Sequence, residues 1–397
     1  MSTTSIPADR YAARLERAQL ALPTEDAYAL LIGVGADLQY LTGYGAHELE
    51  RLTMLVLPAV GRATLIAPRL EMAPAQGCTA AQAGLIDLAP WEETEDPFAL
   101  VAARLEASDS RPEIQMGALG GAWGRLGGLL VSDRLWATFL LRLQATLPDA
   151  AFGLASTVLT PLRAAKDAEE IELLRRAAHA ADRVVEQIAA GPLIGRTEAD
   201  VSKEVLDRLV KEGHDEGSFA IVASGPNSAS PHHGPGPRVI KAGEPIVLDI
   251  GGRLEGYWSD TTRTLWVTGE KDTRPSDEFT RLYEVLEGAQ AAQRAAVKPG
   301  LAAAELDSVG RSMIADAGYG ENFIHRTGHG TGLDGHEEPY IVSSNSAPLA
   351  TGNVFSIEPG IYIDGKFGAR IEDLVACGAD GADELNVSSR GLYVVRG

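Results

Sequence analysis

Residues 245–269 read PIVLDIGGRLEGYWSDTTRTLWVTG. The segment PIVLDI is apolar enough for a central strand, yet Asp249 interrupts it, and YWSDTTRTLWV reads as the strand returning beside it. A hairpin centred between Leu254 and Glu255 places Asp249 opposite Asp260 on one face. Two opposed, largely buried carboxylates repel strongly unless a proton or a cation lies between them.

The same device recurs in residues 355–377, FSIEPGIYIDGKFGARIEDLVAC. Asp364-Gly365-Lys366 makes a three-residue turn, and a hairpin centred on Gly365 sets Glu358 against Glu372. A bulge in either hairpin would shift the register and spoil the pairing. One acid in a strand ordinarily marks a solvated face. Two such pairs, with a histidine cluster nearby, point instead to a metal site. That cluster is HRTGHGTGLDGHEEP, residues 325–339, which holds three of the eight histidines. Its glycines at 328, 330 and 332 argue against a helix, so a loop is expected. HEEP lacks the second histidine of the HExxH zinc motif. Four carboxylates and an imidazole make a mostly oxygen site suited to two hard or borderline divalent ions such as Mn²⁺, Co²⁺ or Zn²⁺.

Outward from these hairpins, a chain of 397 residues is expected to form two domains. The segments at 27–35, 52–59 and 63–72 read as strands after a helix at 10–22, which suggests an α/β domain to about residue 155. The glycine-rich stretch 117–128 has no GxGxxG spacing and reads as loop and short helix without a phosphate site. Asp167 caps a helix that Gly191 and Pro192 end, with Leu173, Leu174, Ala177, Ala181, Val184 and Val185 as its apolar stripe. A second amphipathic helix spans 196–213, and two more lie at about 275–297 and 302–317. His179 and His214 belong to the first two helices or their ends and read as packing or solvent-exposed residues, not ligands. The run ASGPNSASPHHGPGP (223–237) has linker composition, but its place between two strands favours an ordered functional loop.

A net charge of −20 argues against nucleic acid or anionic membrane as partners. No apolar run is long enough to span a membrane, and the first residues lack the pattern of a secretory signal. Cys78 and Cys377 fit neither a disulfide framework nor a zinc-ligand spacing, so a cytoplasmic protein is expected.

SGPNSASPHH, VLDIGG, SDTTRT, HRTGHGTGLDGHEEP, SIEPGIY and ARIED occur in the order found in M24 metallopeptidases. These are the creatinase-fold or pita-bread enzymes, and the match resembles most their aminopeptidase P and prolidase branches. The likeness runs from about residue 160 to the end. The stretches LERAQ, ALLIGVGADLQYLTGY, LVLP and LIAPRLE resemble the family's N-terminal domain less specifically. The resemblance implies a creatinase-type α/β domain over 1–155 and an α+β pita-bread catalytic domain with a curved, mainly antiparallel sheet over 156–397. It implies five metal ligands, Asp249, Asp260, His329, Glu358 and Glu372, holding two divalent ions, with Mn²⁺ expected first. It assigns roles around the metals to His232, His325, His336, Tyr362 and Arg370, and leaves His233 incidental.

The implied reaction is hydrolysis of the Xaa-Pro bond in proline-containing dipeptides or short peptides, with Glu358 as proton shuttle and His325 and His336 facing the substrate. Xaa-Pro dipeptidase is favoured; aminopeptidase P and a non-peptidase hydrolase on the same fold are the alternatives. A dipeptidase needs a cation for the substrate's free carboxylate. Some prolidases carry an arginine just after HE-x-P, where this chain has Tyr340, so Arg51 is considered for that task. A homodimer is implied by the resemblance alone.

Overall fold

The computed structural model describes residues 6–108, 128–269 and 274–396. Most of the glycine-rich stretch 117–128 therefore lies outside the described residues; Gly128 opens a strand. The chain forms two compact units, Met1–Arg163 and Ala164–Gly397.

The first unit is built on a six-stranded mixed sheet. Its strands run in the spatial order Asp87–Trp91, Thr64–Pro68, Met54–Pro58, Ala27–Gly33, Gly128–Val131 and Ala151–Leu154. The central strands Ala27–Gly33 and Met54–Pro58 are buried along their whole length, which explains their unbroken apolar character. Helices such as Pro97–Ala107 cover the sheet through Phe98, Val101 and Leu105. Asp96 starts that helix by accepting from Phe98 N at 3.1 Å, while Pro97 supplies a φ suited to its first turn.

In the second unit, helix Ala168–Ala189 begins with a capping box. Asp167 accepts from Glu170 N at 2.9 Å, and Glu170 accepts from Asp167 N at 3.0 Å. All six residues of the expected stripe are buried. Of these, Ala181, Val184 and Val185 pack, with helix Glu198–Lys211, on the strands Glu216–Ser224, Glu244–Leu254 and Thr261–Thr268. That sheet is antiparallel except at its edge, where Tyr393–Arg396 runs parallel to Thr261–Thr268. A second, wholly antiparallel sheet orders Glu337–Ile341, Gly328–Gly330, Val354–Ile357, Asp373–Cys377 and Ala382–Glu384. Helix Asp277–Ala296 packs Phe279, Leu282 and Leu286 against Ile361, Ala369 and Ile371. Among the described residues no helix is long and apolar enough to cross a membrane.

The histidine-rich stretch is more regular than expected. Gly328–Gly330 is a strand, not a loop, and it lies between two others. Its glycines serve that packing: a Cβ at Gly328 would collide with the Ser356 carbonyl, and one at Gly330 with the Glu338 carbonyl.

The two hairpins part company over register. The second one forms as read, with Gly360 opposite Arg370 and, beyond the two acids, Ile357 opposite Asp373. Glu358 and Glu372 are thereby set across from each other. In the first, Asp249 stands opposite Thr262, not Asp260. The cause is the turn, which is Glu255-Gly256, with φ of 51° and 85°; two positive values in a two-residue loop suit the twist of the hairpin. The error is two residues, so every side chain keeps its face and Asp260 remains on the face of Asp249, diagonal to it.

Candidate metal centre

The five residues converge where strands of the sheets in the second unit meet. Asp249, Asp260 and Glu372 each place an oxygen within 4.8 Å of the other two. His329, Glu358 and Glu372 form a like group, so Glu372 is shared, and Asp260, His329 and His336 form a third. Asp249, Asp260, His329 and Glu372 are buried, and Glu358 is nearly so.

Electrostatics show how poorly this cluster balances by itself. Burial pushes Asp260 and Glu372 well above the usual carboxylate range, and the neighbouring acids push them further. Asp249 is also raised by burial, although Arg370 opposes the shift through a contact of 2.5 Å from Nη2 to Oδ2. Its other oxygen, Oδ1, is buried without a hydrogen-bond partner. Burial would raise Glu358 as well. The His329 hydrogen bond and the charges of His329, His325 and Arg370 instead hold it down at about 2. Four acids face one arginine and one imidazole, with one oxygen left bare. A set of oxygen donors in that condition fits divalent cations. His329 is also oriented for the task. Its Nδ1 faces the Gly330 carbonyl at 3.1 Å, and Nε2 faces Glu358 at 3.2 Å and Asp260 at 3.6 Å.

Thr262 joins the two hairpins. It pairs with Asp249 across one ladder and bridges to Glu372 on its other side. Its hydroxyl donates to Glu372 Oε2 at 2.7 Å and accepts from Arg370 Nε at 3.1 Å. Behind it the fully buried Arg263 donates to the Thr262 and Glu372 carbonyls at 2.9 and 2.6 Å and pairs with Asp373 at 2.7 Å.

Around the cluster, Arg370 Nη1 donates to Tyr362 OH at 2.7 Å and to the Pro231 carbonyl at 3.2 Å. Tyr362 stays protonated, because burial pushes its phenol up to about 12, and it lies 3.0 Å from His325 Nε2. His325 Nδ1 faces the Arg326 carbonyl at 2.8 Å, so both ring nitrogens are already engaged within the protein. The ring of His336 lies 4.0 Å, centroid to centroid, from that of His329. Burial, then His329 and Arg326, keep His336 neutral with its pKa lowered to about 4. His232 is exposed at the end of the 225–233 loop. Arg51 belongs to the first unit, where it pairs with Glu93 at 2.7 Å and Glu50 at 2.9 Å.

Residues 172–379 match metallopeptidase family M24, and residues 14–165 match the creatinase/prolidase N-terminal domain. The chain belongs to family M24. A Mycobacterium bovis protein named "Probable dipeptidase PepE" is 42% identical over 396 residues, covering 100% of this chain and 99% of that one. The crystal structure of dipeptidase PepE from Mycobacterium ulcerans superposes with a TM-score of 0.86 at 42% identity, covering 98% and 99% of the two chains. A prolidase from Thermococcus sibiricus gives a TM-score of 0.85 at 35% identity, with 97% and 98% covered. The fold is thus a creatinase-type N-terminal domain and an M24 pita-bread domain, and the protein is a metallopeptidase that hydrolyses peptides with divalent metal.

Several residues that shape this M24 site escaped the sequence reading. Glu198, in the first turn of its helix, is buried and collects the 224–236 loop. It accepts from Ser224 N at 2.8 Å, Ser224 Oγ at 2.7 Å and Asn227 Nδ2 at 3.0 Å, and meets His233 Nε2 at 2.8 Å. His233, read as incidental, therefore anchors the loop that presents His232. A polar loop beside an acid-headed helix was the available signal, but only the folded contacts link the two. Lys166 is another, its buried Nζ lying 2.6 Å from Glu337 Oε1, next to His336.

Proposed function

We propose that the chain is an Xaa-Pro dipeptidase using two divalent ions held by Asp249, Asp260, His329, Glu358 and Glu372, with Mn²⁺ first and Co²⁺ or Zn²⁺ as alternatives. The observation that carries this is the pair of three-residue groups sharing Glu372, which suits two ions side by side. Bound there, the ions supply Lewis acidity for the scissile carbonyl and the attacking water. The names of the relatives, dipeptidase and prolidase, support the substrate class.

The residues divide the remaining work. Glu358, ionised and facing the cluster, takes the proton of the attacking water. It returns that proton to the proline nitrogen as the C–N bond breaks. His336 is neutral, and with Nδ1 turned toward Arg326 Nη2 at 3.4 Å its Nε2–H is left to donate to the oxygen of the carbonyl under attack. Arg370 holds Asp249 and Tyr362, and Tyr362 holds His325, so these three fix the wall of the pocket. His232 borders the substrate from the 225–233 loop. Proline suits such an enzyme because its tertiary amide, with no N–H and a fixed φ, withstands ordinary peptidases.

The test is turnover of Ala-Pro against Ala-Pro-Ala on protein of measured metal content. Cleavage of Ala-Pro alone is expected; cleavage of the tripeptide would make the enzyme an aminopeptidase P, and cleavage of neither would remove the Xaa-Pro reading. Full activity after exhaustive chelation would sink the metal mechanism. The expected homodimer is measured by sedimentation of the whole chain.

A further inference from the structure

We propose that Arg326 binds the free C-terminal carboxylate of the dipeptide substrate. This rests on the dipeptidase reading above and names the residue that makes the site selective for dipeptides.

In an Xaa-Pro dipeptide the carboxylate carbon lies only about 2.5 Å from the nitrogen that leaves, two covalent bonds away. A dipeptidase must therefore place that negative charge close to its reacting centre. Here the centre is ringed by Asp249, Asp260, Glu358 and Glu372, so a cation is required at its edge. The position after HEEP is Tyr340, which has no charge to offer. Folding places Arg326 against that same tyrosine: its guanidinium carbon lies 4.5 Å from the ring centroid. Arg326 Nη2 reaches His336 Nδ1 at 3.4 Å, and His336 in turn groups with Asp260 and His329. The guanidinium thus stands one side chain away from the acids, on the side of His336.

Its state distinguishes it from the other arginines nearby. Arg370 is committed to Asp249 at 2.5 Å, and Arg311 to Asp307 at 2.8 Å. Among the described residues no carboxylate pairs with Arg326, and its Nε and Nη1 donate to no protein acceptor. A planar fork held by a ring on one face, with donors unspent, matches a carboxylate. The backbone beneath is fixed. The His325 carbonyl accepts from Arg311 Nη2 at 2.7 Å, and Thr327 N donates to the Ile341 carbonyl at 3.0 Å. Such preorganisation lowers the entropy lost when the substrate docks. A tripeptide puts a neutral peptide group where the dipeptide has its carboxylate, and forfeits this contact.

The experiment compares Ala-Pro with its C-terminal amide on the wild type, Arg326→Met and Arg326→Lys, all with matched metal content and melting temperature. The wild type should favour the acid over the amide by about 10- to 100-fold in kcat/KM. In R326M that ratio should collapse through a raised KM for Ala-Pro, with R326K recovering part of it. Inhibition by free L-proline should weaken in parallel in R326M. Equal loss on both substrates would overturn the proposal and leave Arg326 as the residue that orients His336, and an unchanged ratio would leave it as packing for Tyr340. If the wild type cleaves neither compound, the dipeptidase reading itself fails and this proposal falls with it. A wild type that favours the acid, with R326M keeping the same preference, refutes Arg326 alone.

Discussion

Glu358 faces His329 Nε2 at 3.2 Å and accepts from Ser356 Oγ at 3.1 Å, so its carboxylate is held on the cluster by two partners. Glutamine at 358 keeps the shape and an accepting oxygen but carries no proton between water and the leaving nitrogen. Glu358→Gln should therefore lower kcat by about 10²- to 10⁴-fold while the chain still folds, and an active variant would exclude the shuttle role. Arg370 poses the opposite problem, because its loss removes the main counter-charge of a buried acid. Arg370→Met should destabilise the metal-free protein by about 3 kcal/mol or more, read from the denaturant midpoint. A shift near zero would mean that the acids simply take up protons. At this scale the four acids were legible, since an acid pair recurring in two apolar hairpins beside a histidine cluster has few other reasons to occur. Thr262 and Arg326 were not, because an ordinary hydroxyl and an ordinary arginine gain meaning only from their neighbours.

The loop 224–236 depends on one buried carboxylate. Burial alone would raise Glu198, but hydrogen bonds from Ser224, His233 and Asn227 outweigh it and hold its pKa below the ordinary value. A carboxylate depressed in the folded state stabilises the fold above its unfolded pKa, near 4.3, and loses that contribution as pH falls through the folded value. Glu198→Gln should make acid unfolding less steep on that flank while loosening the loop at neutral pH. Hydrogen exchange over residues 224–236 checks the second effect, and unchanged protection there would refute the anchoring role. Helix Ala168–Ala189 offers a plainer case: Asp167→Ala removes half of its capping box and should cost about 1 kcal/mol. That helix was readable to its caps, because capping is local chemistry. The first hairpin was readable in its faces but not in its register, since Glu255-Gly256 was passed over as the turn.

For the whole molecule, ions bound only by the folded chain stabilise it by mass action, about 2.7 kcal/mol for each site at a free metal concentration one hundred times Kd. All five ligand candidates belong to the unit Ala164–Gly397. Chelation should therefore lower the unfolding transition of that unit and leave hydrogen exchange in the core of Met1–Arg163 unchanged. An unmoved transition in the catalytic unit would count against structural metal binding.

While His329 was singled out by the family resemblance, composition, alternating apolar strands, capped helices and two acid-bearing hairpins were sufficient by themselves to suggest the two-part architecture and to nominate the four acids. Each rests on periodicity or on spacing of a few residues, which a linear chain displays openly. Tertiary structure alone decided that Asp249 faces Thr262, that Glu198 and His233 tie down the 224–236 loop, and that Arg326 lies against Tyr340 beside His336. Those contacts join residues 14 to 35 positions apart, or strands meeting through an unforeseen turn, and no local preference encodes which partner each will find.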